Sequence, residues 1–476
     1  MLSKEFSVIS RKLMDLYRIH NHSEMVVAVN VLIEYYGGFV DSYPPGFELN
    51  GWIVPSRWKL SDAYIELYQD SIPIRKIQPS LKSLFVWPFS CSVNAFIEKA
   101  DLLANICQSE SSARTFMFRP QYRHWENQWG FSLTADESVQ ITEWDGEIKV
   151  YIDSSFSNDH MVQHVSGKIQ SGNNFLLIGH LDHPYQYSDG LCGCLVNLEI
   201  QQQLAGNMDY INLVCLSSVE IIGSVNFVDR YNLSDRNVIG GLFTAAPGIS
   251  SSLSLQESYK NRSMIEKEIK HICKIQELVL KTYPFRKMWG NDEIAYESPG
   301  VNISCPVFGR FPLSQYHKDS DTFEQMQTNK INEFIDILKK ALISLDRASI
   351  YYPNFIGLHA LHSKDFSLYL SPVNVSGIKT NDAVNKVSSL IADSPHKKIL
   401  NNIELQYIES NPAYLFNLMN IIQAAMQLDN PLYSLNLSYE AELPHSFVLS
   451  YLDSWVDLGL LRKISYWQAG TLPLQF

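Results

Sequence analysis

One segment constrains the fold of this chain more than any other, residues 179–190 (GHLDHPYQYSDG). It follows the apolar run 174–178 (NFLLI) and precedes the run 191–200 (LCGCLVNLEI), whose apolar residues recur at helical spacing. A buried strand therefore ends, and a helix begins, at a segment that carries two histidines and two aspartates. Because open α/β sheets place their sites at the carboxyl ends of strands, this segment predicts a functional site at the edge of a sheet.

The polar residues of this segment suit a metal ion. Imidazole nitrogen and carboxylate oxygen are typical ligands of catalytic zinc. His183, whose turn is stiffened by Pro184, and Asp189 are the first candidate ligands, and His180 is a rival to His183. Two other interpretations stay open at this point: the segment could be a hydrogen-bonded turn, and Asp189 could cap the helix that follows.

Two later segments repeat the pattern of polar residues after apolar ones. The strand-like run 210–216 (YINLVCL) leads to Glu220, and a helix-like run follows it. Glu220 is the candidate general base, with stabilisation of a helix N-terminus as the alternative. Far downstream, His317 is the candidate for the last metal ligand, although a histidine in a loop can also be a surface residue. A zinc hydrolase needs this combination of ligands and base.

Three further residues are weaker candidates. Asp292 and Glu293 could orient the ligands or bind a substrate amine, and Tyr316 could donate a hydrogen bond to an oxyanion. An acidic cluster beside the metal would favour an ammonium group, whereas a carboxypeptidase would use an arginine there. Arg310 is the nearest candidate for that opposite choice.

Five short motifs in a fixed order resemble a known family. They are 182–184 (DHP), 188–193 (SDGLCG), 220–224 (EIIGS), 290–293 (GNDE, followed by SPG at 298–300) and 316–319 (YHKD). The chain resembles the bacterial aminopeptidase-like family of the DUF4910/DUF2172 type, which is related to the M28 zinc exopeptidases. This resemblance spans most of the chain.

The resemblance implies more about the site. In M28 enzymes the aspartate of a His-x-Asp motif orients the histidine from outside the ligand set, and Asp182 matches that aspartate. Those enzymes bind a second zinc through an aspartate on the strand after the glutamate. The corresponding run 238–244 (VIGGLFT) carries no carboxylate, which favours one Zn²⁺ over two. Residues that shape the pocket depart from the family, among them Ser188 and Val219, so a member that has lost activity stays an alternative.

The alternation of strands and helices over 116–350 predicts a largely parallel α/β sheet with helices on both faces. The resemblance implies a three-layer zinc-exopeptidase-like domain from residues 1–39 and 116–350, with an inserted β-rich domain at 40–115. Residues 380–476 are predicted to form a winged helix-turn-helix. Its elements are helices at 384–392, 413–428 and 446–459 and a hairpin at 460–467.

Composition limits the partners. The net charge of −12 argues against nucleic acid as a partner, and 380–476 carries five basic against nine acidic residues. We therefore expect the C-terminal module to dock or dimerise, which leaves a homo-oligomer open. No signal segment or membrane-spanning apolar run is visible, and the seven cysteines are odd in number. These features predict a cytoplasmic protein without a membrane partner.

The sequence therefore predicts a zinc-dependent amide hydrolase of the aminopeptidase type. Its substrates would be small peptides or aminoacylated metabolites, because the inserted and C-terminal segments are expected to narrow the mouth of the site. The alternative is a catalytically inactive, peptidase-like protein that binds a partner through its winged helix.

Overall fold

The computed structural model describes residues 2–469, apart from 110–111, 170–171, 234–237, 261, 364, 367, 371–401, 412 and 428–429. It divides into two compact units. The first comprises Met1–Ala205, Asn212–Asn261 and Lys281–Ile335, and the second comprises Gly206–Ile211, Arg262–Leu280 and Asp336–Phe476.

The described helices are α1 (Phe6–Met14), α2 (Ser23–Tyr36), α3 (Lys99–Ala104), α4 (Arg119–Tyr122), α5 (Ala135–Thr142), α6 (Leu191–Leu204), α7 (Ile222–Arg230), α8 (Met264–Ile275), α9 (Glu293–Tyr296), α10 (Thr328–Asp346), α11 (Asn402–Ser410), α12 (Ala413–Gln427), α13 (Ser434–Ala441) and α14 (His445–Asp457). The described strands are β1 (Phe39–Tyr43), β2 (Glu48–Leu49), β3 (Trp52–Ile53), β4 (Arg57–Gln69), β5 (Ile72–Ile77), β6 (Val93–Ile97), β7 (Ile106–Gln108), β8 (Phe131–Leu133), β9 (Glu147–Ser157), β10 (Met161–Ser166), β11 (Asn173–His180), β12 (Ile211–Ser218), β13 (Val238–Ala245), β14 (Ser252–Gln256), β15 (Lys281–Tyr283), β16 (Val307–Phe311), β17 (Ser349–Pro353), β18 (Leu432–Tyr433) and β19 (Leu461–Ser465).

The first unit is built on an eight-stranded sheet in the order β1-β10-β12-β11-β13-β16-β14-β15. Strands β11, β13 and β16 run parallel, whereas β1 is antiparallel to β10, β10 to β12, and β14 to β16. The sheet is therefore mixed, and the expectation of a largely parallel sheet holds for its centre and for the β14–β15 pair at one edge. Strand–helix alternation begins at β11, and the short 246–251 connection between β13 and β14 contains no crossover helix.

Helices cover both faces of this sheet, as the sequence predicted. On β13, Phe243 packs in one apolar cluster with Phe227 of α7 and Tyr296 of α9. The next side chain, Thr244, donates a hydrogen bond to Asn197 of α6 at 2.6 Å. Because successive side chains of a strand point to opposite faces, α6 lies on one face and α7 and α9 on the other.

A second, four-stranded antiparallel sheet in the first unit has the order β5-β4-β9-β6. It has its own apolar core, which includes Trp58, Ile65 and Val150. Strand β9 lies within 116–350, the range predicted to form the main sheet, but it belongs here, whereas β1 joins the main sheet. The β-rich segment thus extends beyond 40–115, because strand pairing rather than sequence order decides which sheet a strand joins.

The second unit contains a three-stranded antiparallel sheet in the order β18-β17-β19. The predicted hairpin at 460–467 is wrong: Leu461–Ser465 is one strand, and its partner is Ser349–Pro353. Residues 460–467 contain none of the glycine or asparagine pairs that a tight hairpin turn favours. The predicted helix at 384–392 lies outside the described residues.

The short connection 442–444 joins α13 to α14. The winged helix-turn-helix stays a prediction. Most side chains of α14 are buried, and Asp453 accepts hydrogen bonds from Tyr351 (2.7 Å) and Lys463 (2.9 Å). Over the described part of the chain, no helix has the length and apolar character required to cross a bilayer.

The carboxylate of Asp346 organises the start of β12 in the second unit. It accepts backbone hydrogen bonds from Asp209 (2.9 Å), Tyr210 (2.9 Å) and Ile211 (2.7 Å) and is fully buried. Asp346→Ala should therefore lower the free energy of unfolding by about 2–4 kcal/mol, since it orphans several backbone donors. Denaturant unfolding measures this loss.

Asp336→Ala, on the same helix, is the matched control. Asp336 is 54% exposed and pairs at 2.9 Å with Lys340, which keeps a second carboxylate, Glu404, at 3.6 Å, so the loss of Asp336 should cost about 0–1 kcal/mol. Equal destabilisation by both variants would contradict the role of Asp346.

Candidate metal centre

The 181–190 loop joins β11 to α6 and carries most of the predicted ligands. His180 is the last residue of β11, and Gly190 precedes the first residue of α6. Gly190 has a φ of 97°, and a methyl group on it would lie 2.3 Å from the His180 carbonyl oxygen and 2.4 Å from Nδ1. The ring of His180 can occupy its position only because residue 190 lacks a side chain.

Four predicted residues meet in the first unit. The Asp189 Oδ1 atom lies 3.3 Å from His180 Nε2 and 3.9 Å from His183 Nδ1, and its Oδ2 atom lies 3.4 Å from His317 Nε2. His180, His183 and Asp189 have the mutual spacing that a bound metal ion requires. The two rival histidines are therefore compatible, because both reach the same carboxylate.

Several polar atoms of this group are buried without a hydrogen-bond partner among the described residues. They are both ring nitrogens of His183, Nδ1 of His180, Oδ2 of Asp189 and Nε2 of His317. Buried polar atoms are normally satisfied, and an unsatisfied group often marks a place for an ion or water. Nitrogen and carboxylate oxygen atoms are the donor set that zinc takes, so the residues present fit such an ion.

The backbone is strained at the same place. His183 and His317 have φ values of 89° and 56°, and Ile221, directly after Glu220, has a φ of 59°. Residues other than glycine avoid this region, and such conformations persist at functional sites where the surroundings impose them. The loop of His317 is held by a hydrogen bond of 2.6 Å from the Phe116 N–H to the His317 carbonyl.

Glu220 lies beside the ligand group. Its Oε2 atom is 3.7 Å from His183 Nε2 and accepts a hydrogen bond of 2.5 Å from the Tyr122 hydroxyl. Its backbone N–H donates to Asp182 Oδ1 at 3.0 Å. A carboxylate held next to the ligands, with one oxygen oriented by a tyrosine, is suited to act as a general base.

Burial and neighbouring charges together shift the pKa values of the site residues. It lowers the pKa of His183 to about 3 and raises the pKa of Glu220 to about 8. For His180, burial acts to lower the pKa, but Asp182 and Asp189 raise it well above its ordinary value. Burial opposes ionisation of Asp189, yet His183 and His180 hold its pKa below the usual range. These carboxylates therefore favour a positive charge between them.

The carboxylate of Asp182 lies between the rings of His180 and His20. Its Oδ1 atom is 3.5 Å from His180 Nδ1, and its Oδ2 atom is 3.3 Å from His20 Nε2. A carboxylate in this position orients the histidine that faces the metal. His20, Asp182 and Glu220 also have the mutual spacing of a metal-binding group.

Two residues that the sequence analysis missed fix the 181–190 loop. Asp321 accepts backbone hydrogen bonds from Ser188 and Asp189, each of 3.0 Å, and is fully buried. Arg18 is also fully buried and donates to the carbonyls of Leu181 and Gln186. The sequence offered one weak signal for each of them. Asp321 comes four residues after a candidate ligand, and Arg18 lies between two apolar neighbours.

Asp292 and Glu293 have other partners. Asp292 accepts hydrogen bonds from Ser218 (2.8 Å), Ser224 (2.5 Å) and the N–H of Ile221 (3.2 Å), so it supports the loop of Glu220. Glu293 accepts from Gln256 and from the N–H of Asn291. Both carboxylates are fully buried. Orientation of the ligands and binding of a substrate amine both stay predictions for these two residues.

Tyr316 is 45% exposed, and its ring stacks on His317 at a centroid distance of 3.8 Å. Burial raises the pKa of its hydroxyl, so the group stays protonated and can donate a hydrogen bond. Its role at an oxyanion stays a prediction. Arg310 is buried and bonded to the carbonyls of Pro247 and Ser251 and to Glu333.

The fold defined by this sheet and its loops is shared with known peptidases. The crystal structure of a candidate peptidase from Clostridium acetobutylicum matches with a TM-score of 0.72 and 15% identity, over 97% of this chain and 96% of that one. A zinc aminopeptidase from Bacillus subtilis matches with a TM-score of 0.51 and 12% identity, over 72% of this chain and 95% of that one. The chain therefore shares its fold with the first protein over nearly its whole length and with the zinc aminopeptidase over about three quarters of it.

Sequence comparison identifies the family. A family model described as a domain of unknown function, DUF4910, matches residues 13–348. The chain belongs to this family, which confirms the resemblance seen in the motifs. A candidate polysaccharide biosynthesis protein of Clostridium acetobutylicum, with an aminopeptidase-like domain, is 21% identical over 314 residues, 64% of this chain and 69% of that protein.

The contact between Gly190 and His180 generates a prediction. In Gly190→Ala, the methyl group would displace the His180 ring, and zinc affinity should fall at least about tenfold. Competition titration with a zinc chelator measures the change. Gly206→Ala is the matched control, since Gly206 also has a positive φ (74°) but no atom within 4 Å of the position that a methyl group would take. Unchanged affinity in Gly190→Ala would contradict the assignment of His180.

Proposed function

We propose that this protein is a zinc-dependent amide hydrolase of the aminopeptidase type. The observation that carries the proposal is the Asp189 carboxylate, which has histidine nitrogens at both oxygens and Glu220 nearby. The fold shared with a zinc aminopeptidase adds support. The proposal concerns one zinc ion, because β13 supplies no carboxylate to the site.

His183, Asp189 and His317 would hold the ion, with His180 as the rival of His183, and three ligands leave a fourth position for water. Zinc, when bound, acts as a Lewis acid on the amide carbonyl and makes a water molecule more acidic. Phe116 packs edge-on against His183 and His317, at 5.1 and 5.7 Å. This ring limits the access of bulk water to one side of the ligand group.

Glu220 performs the proton transfer in this mechanism. Its carboxylate accepts a proton from the attacking water and gives it to the nitrogen of the leaving amine as the C–N bond breaks. A cation beside it favours the ionised form, which offsets the effect of burial on its pKa. Tyr122 holds the carboxylate in place, and Tyr316, whose ring stacks on His317, is the candidate donor to the oxygen that becomes negative.

The proposed substrates are small peptides or aminoacylated metabolites with a free α-amino group. The acidic surroundings of the site favour an ammonium group. The buried Arg310 is occupied by carbonyls and Glu333, so it offers little support for recognition of a substrate carboxylate in the manner of a carboxypeptidase.

Metal analysis of the purified protein tests the ligand set. We expect about one zinc per chain, and His317→Gln should reduce the bound zinc by at least about tenfold, because an amide is a poor zinc ligand. His164→Gln is the control, since His164 is a fully buried histidine bonded to the Gly37 carbonyl. A wild-type protein without zinc, or a His317→Gln protein with normal zinc, would refute the proposal.

Glu220→Gln tests the chemistry separately from the metal. This variant should keep its zinc and lose turnover of aminoacyl amides by at least about a hundredfold. Glu199→Gln, at a buried carboxylate bonded to Ser3 and Tyr36, controls for the loss of a buried charge. Normal zinc without turnover in the wild type would instead favour the alternative of an inactive, peptidase-like interaction protein.

A further inference from the structure

A cavity of about 420 Å³ lies in the first unit next to Glu220. This volume is within the range of pockets that take small molecules. Three aromatic side chains contribute to its lining: Trp52, Tyr122 and Trp125. Trp52 meets Tyr122 edge to face at a centroid distance of 6.0 Å, and Trp125 is 56% exposed. The cavity therefore offers ring surfaces to a ligand that enters from solvent.

Tyr122 connects the cavity to the general base. Tyr122 donates its hydrogen bond to Glu220, and Ile222, two residues after Glu220, is also part of the lining. None of the proposed metal ligands lines it. In amide hydrolysis the general base must come within hydrogen-bond reach of the leaving nitrogen, to which it gives its proton. A substituent on that nitrogen would lie on the Tyr122 side of Glu220, where the cavity is, and the carbonyl would face the metal ligands.

The charge of the lining selects among leaving groups. Among the described residues, no carboxylate lines the cavity, whereas Arg123, which pairs with Glu126 at 3.0 Å, does. The nearby Glu220 carboxylate is bonded to Tyr122 and is used as the general base, so a lysine or arginine side chain would find no free counter-charge in the lining, and desolvating it would be costly. An aromatic side chain has little desolvation cost on burial and gains contacts with the aromatic rings that line the cavity.

A buried amide supplies a polar contact. Gln121 lines the cavity and is fully buried, and its Oε1 atom accepts a hydrogen bond of 2.9 Å from the N–H of His20. Its Nε2 atom has no hydrogen-bond partner within the described part of the chain. A buried donor without a partner is unfavourable, and a carbonyl or carboxylate oxygen of a ligand would satisfy it.

We propose that this cavity binds the leaving residue of the substrate, with an aromatic side chain against Trp52 and Trp125 and a main-chain oxygen accepting from Gln121. The inference rests on the proposed amide hydrolysis and specifies its substrates as peptides with an aromatic residue after the scissile bond.

Peptides with one fixed N-terminal residue test the selectivity. We expect kcat/KM for leucyl-phenylalanine to exceed that for leucyl-alanine by at least about tenfold, and leucyl-lysine to be the poorest of the three. Trp125→Ala should reduce this ratio several-fold, and Trp52→Phe should reduce it less. Phe156→Ala, an exposed aromatic residue outside the cavity (47% exposed), should leave the ratio unchanged.

Calorimetry with L-phenylalanine, the expected product, gives a readout that does not depend on turnover. L-Phenylalanine should bind more tightly than L-alanine, and Trp125→Ala should weaken it. Gln121→Glu keeps the acceptor for the His20 N–H but places a negative charge beside the ligand carboxylate, so it should weaken binding at least about tenfold.

The outcomes separate the two proposals. Hydrolysis of leucyl-phenylalanine and leucyl-alanine at equal rates, with no binding of L-phenylalanine, would overturn the cavity assignment and leave the hydrolase intact. Binding of L-phenylalanine that Trp125→Ala and Gln121→Glu weaken, without hydrolysis of any peptide, would support the cavity as a ligand site and refute the hydrolase. Binding that neither variant alters would overturn the cavity assignment.

Discussion

The carboxylate of Asp321 is the contact on which the geometry of the candidate centre depends. By accepting the N–H groups of Ser188 and Asp189, it ties the loop after β11 to the loop that carries His317. The two loops are more than a hundred residues apart in the sequence, yet the ligands that they carry must converge within a few ångström. The Tyr187 N–H adds a third bond, to the Asp321 carbonyl. Without these bonds, Asp189 and His317 would sit on independently moving segments.

Electrostatics explains why these residues are tolerated in the interior. Asp182, Asp189 and Glu220 are all buried, and buried carboxylates are unfavourable unless a positive charge or hydrogen-bond donors accompany them. Histidines supply part of this compensation, since they can hold either a proton or a metal ion. The arrangement has the character of a cation-binding site, and without a cation the buried charges of its residues would destabilise the fold.

The structure brings the candidate residues together because each of them follows a local signal in the sequence. An apolar strand, a polar loop and a helical run identify residues 179–190, and the order of the motifs adds Glu220 and His317. Asp321, Arg18 and Tyr122 were missed because their roles arise only from contacts between distant segments, which leave no periodic pattern. The same limit applies to the sheets: alternation indicated helices on two faces, but it could not show that β9 pairs with β4 and β6, or that Leu461–Ser465 pairs with Ser349–Pro353.

The left-handed backbone at His183 and His317 links the conformational strain of their loops to the residues of the candidate site. Glycine adopts such a conformation without the steric cost that a histidine side chain imposes. Glycine at either position would relieve this steric cost, and each replacement would remove an imidazole from the centre. The residues that form the candidate site are therefore the same residues that strain its loops.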